Sequence, residues 1–375
     1  MATLVQAVAV GWRVYEISGA PMALGLIGLA QFAPMFLLAL PCGELCDRRN
    51  PRVVLGLGLL LAAVCSGALF AVSRAALSGV WPFYLVMVLF GVARALCDSP
   101  GQALLPFLVA PDRLPTAIAW NSSLWQTAVI AGPALGGFLY AFGPASVFLT
   151  CCVAFLCAAI GAVSLGGRRA EPQQVRRNRI DRIGEGFRFV WSRPVILGAV
   201  SLDLVAVLLG GATALLPAYA RDVLHAGSIG LGLLRSAPAV GACAAGLYQT
   251  RRERRASLFA AVAVFGAATV VFGVSKWLSV SLVALCVMGA ADMVSVNVRS
   301  ALIQLETPDA MRGRVSAVSM LFVSASAELG EFESGLAAAV MGVAPAVVLG
   351  GLGALVAIPV WMRVFPGLAR FGKNI

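Results

Sequence analysis

The side chains that could do chemistry in this 375-residue chain are the few charges set inside long apolar stretches. Asp203 is the one charge in the run from Val195 to Ala218. Glu328 and Glu331, three residues apart, share a face of a helical stretch, whereas Glu333 points elsewhere. Arg13 and Glu16 are also three apart, and Arg94 and Asp98 are four apart. Charges in a bilayer are costly and therefore face a cavity or a partner. A desolvated carboxyl group favours its neutral form, and two neighbouring carboxylates resist joint ionisation. Asp203 and the Glu328/Glu331 pair thus suit proton exchange. Each has a second reading. Asp203 could form a structural ion pair, for example with Arg235 or Arg94, and the glutamates could be water-facing groups at the outer end of their helix. Arg13 and Glu16 would face a cavity or each other, and Arg94 and Asp98 form an intrahelical pair.

Other chemistries find no residues. The single histidine, His225, cannot build a His-rich metal or catalytic site. No phosphate-binding Walker loop, no His-Glu-x-x-His pair and no Gly-x-Ser-x-Gly elbow occurs. The nine cysteines, most of them inside apolar runs, resemble small buried side chains with no disulfide or metal spacing. No catalytic residue, metal or cofactor is expected.

The elements that must position these charges are membrane spans. The chain is 60% hydrophobic and 12% charged, with mean hydropathy +0.91, whereas soluble domains carry about 25% charged residues. Apolar runs of near ~20 residues, the length that crosses a bilayer as a helix, predict twelve spans: Ala2–Ile17, Pro21–Cys42, Val53–Val72, Trp81 to about Leu104, Thr116–Tyr140, Ala145–Leu165, Val195–Ala218, Ile229–Tyr248, Leu258–Val274, Leu278 to about Leu302, Val315–Val340 and Val343–Val364. The first is short for a span and starts at Met1, which suggests an upstream start or a truncated helix. Between the sixth and seventh spans lies a polar segment with eight arginines, whose end, Ile183 to Trp191, reads either as an amphipathic surface helix or as a solvated linker. The 28 basic residues sort by loop. Arg13, Arg94 and Arg235 sit inside spans. Arg74, Arg221 and Lys276 fall in one set of alternate loops, and the other 22, Arg299 included, fall in the opposite set or the C-terminal tail. That asymmetry places both termini in the cytoplasm and accounts for a net charge of +11 without a nucleic-acid partner.

The charged turn between the second and third spans is Gly43-Glu44-Leu45-Cys46-Asp47-Arg48-Arg49-Asn50-Pro51-Arg52. A partial copy, Gly246-x-x-x-Thr250-Arg251-Arg252, follows at a spacing near 200, and Ala110-Pro111-Asp112 is echoed by Thr307-Pro308-Asp309. The turn resembles the loop between helices 2 and 3 of the major facilitator superfamily. In that loop the glycine admits close helix approach and the aspartate pairs charges at the cytoplasmic gate, which implies gate roles for Gly43, Asp47, Arg48 and Arg52. Asn50 replaces a usual glycine, and asparagine tolerates the left-handed backbone. Gly132-Pro133-x-x-Gly136-Gly137 resembles the helix 5 motif of the superfamily's proton-coupled exporters, in which proline removes a helix hydrogen bond and the glycines let helix 5 press on its partner in the other half. The stretches Gly11–Glu16, Ser201–Leu204 and Glu328–Gly335 resemble the branch of enterobactin and macrolide exporters.

The resemblance implies an all-α, twelve-helix fold of two parallel six-helix halves, residues 1–165 and 194–375, joined by a cytoplasmic segment at 166–193. It implies a secondary transporter of the plasma (inner) membrane that works by alternating access, exporting amphiphilic small molecules against proton entry. Arg94 and Glu16 join the acidic residues as coupling candidates. Trp12, Phe32, Trp120, Trp125, Met293 and Met320 line a cargo pocket or simply pack helices. An uptake permease of the same fold and a truncated, non-transporting variant are the alternative readings.

Overall fold

The computed structural model describes residues 1–75, 79–104, 108–164, 179–251, 257–308 and 311–368, and among the described residues there is no strand. The helices are α1 (Ala2–Ser18), α2 (Pro21–Arg48), α3 (Pro51–Arg74), α4 (Trp81–Ala103), α5 (Leu114–Tyr140), α6 (Pro144–Ser164), α7 (Arg179–Ser192), α8 (Pro194–Leu209), α9 (Gly227–Arg251), α10 (Leu258–Val274), α11 (Leu278–Glu306), α12 (Arg312–Met341) and α13 (Val343–Val364). Proline opens α2, α3, α4, α5 and α8 in the first turn, where its missing N–H costs no hydrogen bond and its fixed φ suits the helix. Among the described residues eight helices are long and apolar enough to cross a membrane: α2, α3, α4, α6, α9, α11, α12 and α13. The α7–α8 pair passes together but bends by 102°, and α10, with 17 residues, is shorter.

The chain forms two compact units. The first comprises Met1–Val175 with Gly227–Ser236, the opening turns of α9. Here α3 packs between α4 and α6, α2 lies on α4, and α1 lies on α5. Leu69, Phe83, Val147 and Phe148 are fully buried between them. The second comprises Arg176–Ala226 with Ala237–Ile375, where α10 packs on α11 and α13, and α8 on α12. Glycine sets the helix spacing in both. A Cβ on Gly91 of α4 would strike the Gln31 carbonyl of α2, and one on Gly289 of α11 would strike the Pro238 backbone of α9. Lipid tails are as apolar as leucine, so helices in a bilayer associate through close small-residue contacts of this kind.

Five expectations need correction. The span expected over Val195–Ala218 breaks after Leu209. Gly210 and Gly211 follow, then a turn, the short helix Leu216–Ala218 and a π-helical Tyr219–Val223. A Cβ on Gly211 would lie 2.8 Å from the Gly330 carbonyl of α12, so the backbones meet where the helix stops. Asn50 is not left-handed: at φ −63° and ψ 117° it caps α3, its side chain accepting a hydrogen bond from the Arg52 N–H at 3.1 Å. The turn is also shorter than expected, because α2 continues through Arg48. Glu328 and Glu331 lie just past the middle of the 30-residue α12 rather than at its end. Finally, Arg299 belongs to α11 and is buried, not a loop charge.

The stretch from Ile183 to Trp191 is helical, within α7. It packs on α12 of the same unit. A Cβ on Gly186 would lie 2.9 Å from the Arg314 carbonyl, Glu185 pairs with Arg314 at 2.5 Å, and the Phe187 ring stacks on Trp191 and on Phe322. Residues 166–178 and 252–256, which hold much of the expected cytoplasmic charge, lie outside the described residues.

Candidate functional site

Asp203 is the tenth residue of α8, whose other fifteen residues are uncharged. It is 5% exposed and forms an ion pair with Arg299 of α11, itself 4% exposed. Ser295, one helical turn before Arg299 on α11, places its Oγ 3.5 Å from Asp203 Oδ1. Both charges are therefore out of solvent inside the second unit, each compensated by the other. Neither arginine named as a possible partner from the sequence fills this role: Arg94 and Arg235 belong to the first unit. Breaking a buried pair by removing one partner costs about 3–5 kcal/mol, because the other charge remains buried and uncompensated. A trace of Arg299 was available in the sequence: Ser295 and Arg299 are four apart, hence on one helix face, but the proximity of Arg299 to the basic loop disguised it.

The last turn of α8 lies against the glutamate-bearing stretch of α12. A Cβ on Gly330, between Glu328 and Glu331, would lie 3.0 Å from the Val207 carbonyl. Glu328, Glu331 and Glu333 are all half-buried.

In the first unit, Arg13 and Glu16 of α1 pair at 2.8 Å, and the Tyr140 hydroxyl of α5 donates to Glu16 at 2.9 Å. The Trp12 ring meets Tyr140 edge-on. This cluster is wetter than the Asp203 pair, with the Glu16 side chain 41% exposed. Arg94 is half-buried on α4, where its charge acts on Asp98.

The glycine motif of α5 divides its contacts. Cβ atoms on Gly132 and Gly136 would meet Leu4 and Val5 of α1, whereas one on Gly137 would meet Ser228 and Gly232 at the start of α9. Of the motif's glycines, then, two press on α1 of the same sequence half. Pro133 belongs to the α9 seam with Gly137, its carbonyl facing Gly232. In the charged turn Gly43 is buried and Arg52 half-buried, and the side chains of Asp47 and Arg48 lie outside the described set. Trp120 and Trp125 of α5 are 66% and 65% exposed, beside the exposed Asn121, Ser122 and Ser123, whereas Phe32 is buried. Among the described residues no cluster of His, Cys, Asp or Glu could hold a metal ion.

The chain is similar to the multidrug efflux pump Tap of Mycobacterium tuberculosis, 27% identical over 346 residues that cover 87% of this chain and 81% of Tap. It is similar to the enterobactin exporter EntS of Citrobacter koseri, 26% identical over 330 residues that cover 82% of this chain and 75% of EntS. The fold matches that of a D-xylose–proton symporter with a TM-score of 0.69 at 15% identity, over 97% of each chain. The family model of the Major Facilitator Superfamily matches residues 1–331, and with charges held inside apolar helices and glycine-packed spans in both units, the chain belongs to that superfamily of membrane transporters.

Proposed function

We propose that this protein is a proton-coupled exporter of amphiphilic small molecules, of drug or siderophore class, that works by alternating access. The observation that carries the reading is the buried Asp203–Arg299 pair. Two charges in an apolar bundle are expensive to maintain, and a single proton on Asp203 removes their mutual compensation. A proton arriving from one side and leaving to the other would drive the alternation. The Glu328/Glu331 stretch beside α8, the Arg13–Glu16–Tyr140 cluster and Arg94 are the further coupling candidates. Export and the amphiphilic cargo rest on the similarity to Tap and EntS. Trp120 and Trp125 amid amide and hydroxyl side chains form a surface suited to such cargo.

The test is proton-gradient-driven efflux from proteoliposomes, run beside equilibrium cargo binding on the same purified protein. Asp203→Asn should abolish efflux and leave binding largely intact, and Glu331→Gln should weaken efflux and flatten its pH dependence. The double variant Asp203→Asn with Arg299→Gln, which leaves no buried charge unpaired, should fold and bind yet remain uncoupled. If the double variant pumps like wild type, the pair is structural and coupling belongs elsewhere. Accumulation inside cells rather than extrusion would favour the uptake reading.

The gate and the orientation belong to the same proposal. Asp47→Asn should lower transport about tenfold at normal protein level, the worth of one charge-assisted hydrogen bond of roughly 1.5 kcal/mol. The two six-helix halves, residues 1–165 and 194–375, would sit in the inner membrane with both termini and the 166–193 segment in the cytoplasm. Single cysteines in Arg168–Arg193 or Arg251–Arg255, on a Cys-free background, should resist impermeant labels in intact cells. Labelling there would overturn this orientation.

A further inference from the structure

The second unit has an apolar groove on its outer face that the transport reading does not use. It holds about 550 Å³ between α10 and α11. Val264, Ala267 and Val271 line it from one helix and Ser279, Val283 and Val287 from the other. These side chains face outward: Val264 and Val271 are each 46% exposed and Val283 is 64% exposed. Among the described residues no charged side chain lines the groove. Along α11 it runs from Ser279 to Val287, on the order of 12 Å at ~1.5 Å per residue. One leaflet of hydrocarbon is about 15 Å deep, half of a ~30 Å core.

What lies at one end decides the occupant. The two helices are joined by Ser275, Lys276 and Trp277, so the groove opens within one helical turn of this link. Lys276 is exposed and has no acidic partner among the described residues. Trp277 is 72% exposed, the placement of an aromatic ring at the membrane–water boundary. The link is held firmly. The buried Tyr219 hydroxyl lies 2.8 Å from the Phe272 and Ser275 carbonyls, and Ser275 Oγ lies 3.1 Å from the Trp277 carbonyl. An exposed cation on an anchored stretch of backbone therefore lies within one helical turn of a chain-deep apolar slot of outward-facing side chains.

We propose that this groove is a binding site for an anionic phospholipid, with its phosphate on Lys276 and one acyl chain between α10 and α11. Charge complementarity selects the headgroup, and a slot of small aliphatic side chains accepts a flexible chain without polar contacts. The site lies within one unit and does not depend on which residues couple protons.

Native mass spectrometry of the full chain, released from nanodiscs of mixed phosphatidylglycerol and phosphatidylcholine, tests it by counting retained lipids. The wild type should retain phosphatidylglycerol in preference to phosphatidylcholine. Lys276→Gln should lower that preference about fivefold, the worth of one basic side chain near a charged headgroup. Ala267→Phe fills the slot from an exposed position, leaving the core intact, and should reduce retention of both lipids at unchanged melting temperature. Retention of phosphatidylglycerol that neither variant alters would overturn the proposal. So would a dimer that Ala267→Phe alone abolishes, which would assign the groove to a second copy of the chain.

Discussion

Gln6 and Asp203 occupy similar places in the two units, and the structure treats them differently. Each lies on the first apolar helix of its unit, α1 or α8, and each is buried, at 1% and 5% exposure. Gln6 is neutral: Ser66 Oγ of α3 lies 2.5 Å from its Oε1 and 2.9 Å from the Ala62 carbonyl, with one proton to give to either. Asp203 is charged and is compensated by a second charge, Arg299. A neutral contact ties helices together regardless of proton occupancy. A charge pair ties them only while the carboxylate is ionised. Of these two contacts, the Gln6–Ser66 seam carries no charge and the Asp203–Arg299 seam carries two.

The sharpest way to break this comparison is to remove one charge at a time. Asp203→Leu or Arg299→Met should each destabilise the detergent-solubilised protein by about 3–5 kcal/mol, measured as loss of unfolding free energy in a denaturant titration. Combining the two should recover most of that loss, since no uncompensated charge remains. If the single and double variants lose equally, the two charges do not act as a pair. Packing should respond alike in both units where polarity does not. Gly91→Leu and Gly289→Leu each push a side chain into the backbone of a neighbouring helix and should cost about 1–3 kcal/mol. Thermal melting would show it, and a much larger cost in one unit would mean that their seams differ in tightness as well as charge. Gln6→Leu should have the smallest effect, about 1 kcal/mol or less. Ser66 keeps the Ala62 carbonyl as an acceptor, and Gln6 Nε2 has no partner among the described residues to lose. A melting shift as large as that of Asp203→Leu would erase the contrast.

Much of the architecture was legible because it is written locally. Apolar run length sets where a helix can cross, and α10 and α13 have the bounds expected from the sequence. Proline in the first turn marks where helices start. The Arg13–Glu16 contact follows from a three-residue spacing on one helix. The break at Gly210–Gly211 was less legible, because an apolar composition is equally compatible with a continuous helix. There the chain stops where α12 comes within backbone contact.

The amino-acid sequence by itself determined that this chain crosses a membrane as helices and which carboxylates lie within apolar runs. Hydropathy, helical period and charge asymmetry are properties of neighbouring residues and need no third dimension. Only the tertiary structure decided that Asp203 meets Arg299 rather than Arg94 or Arg235, that Tyr140 reaches Glu16, and that the α5 glycines serve both α1 and α9. Those partners come from helices remote in sequence. The cost of leaving a charge alone in an apolar interior requires Asp203 to have a partner, but the packing of α8 against α11 selects which one.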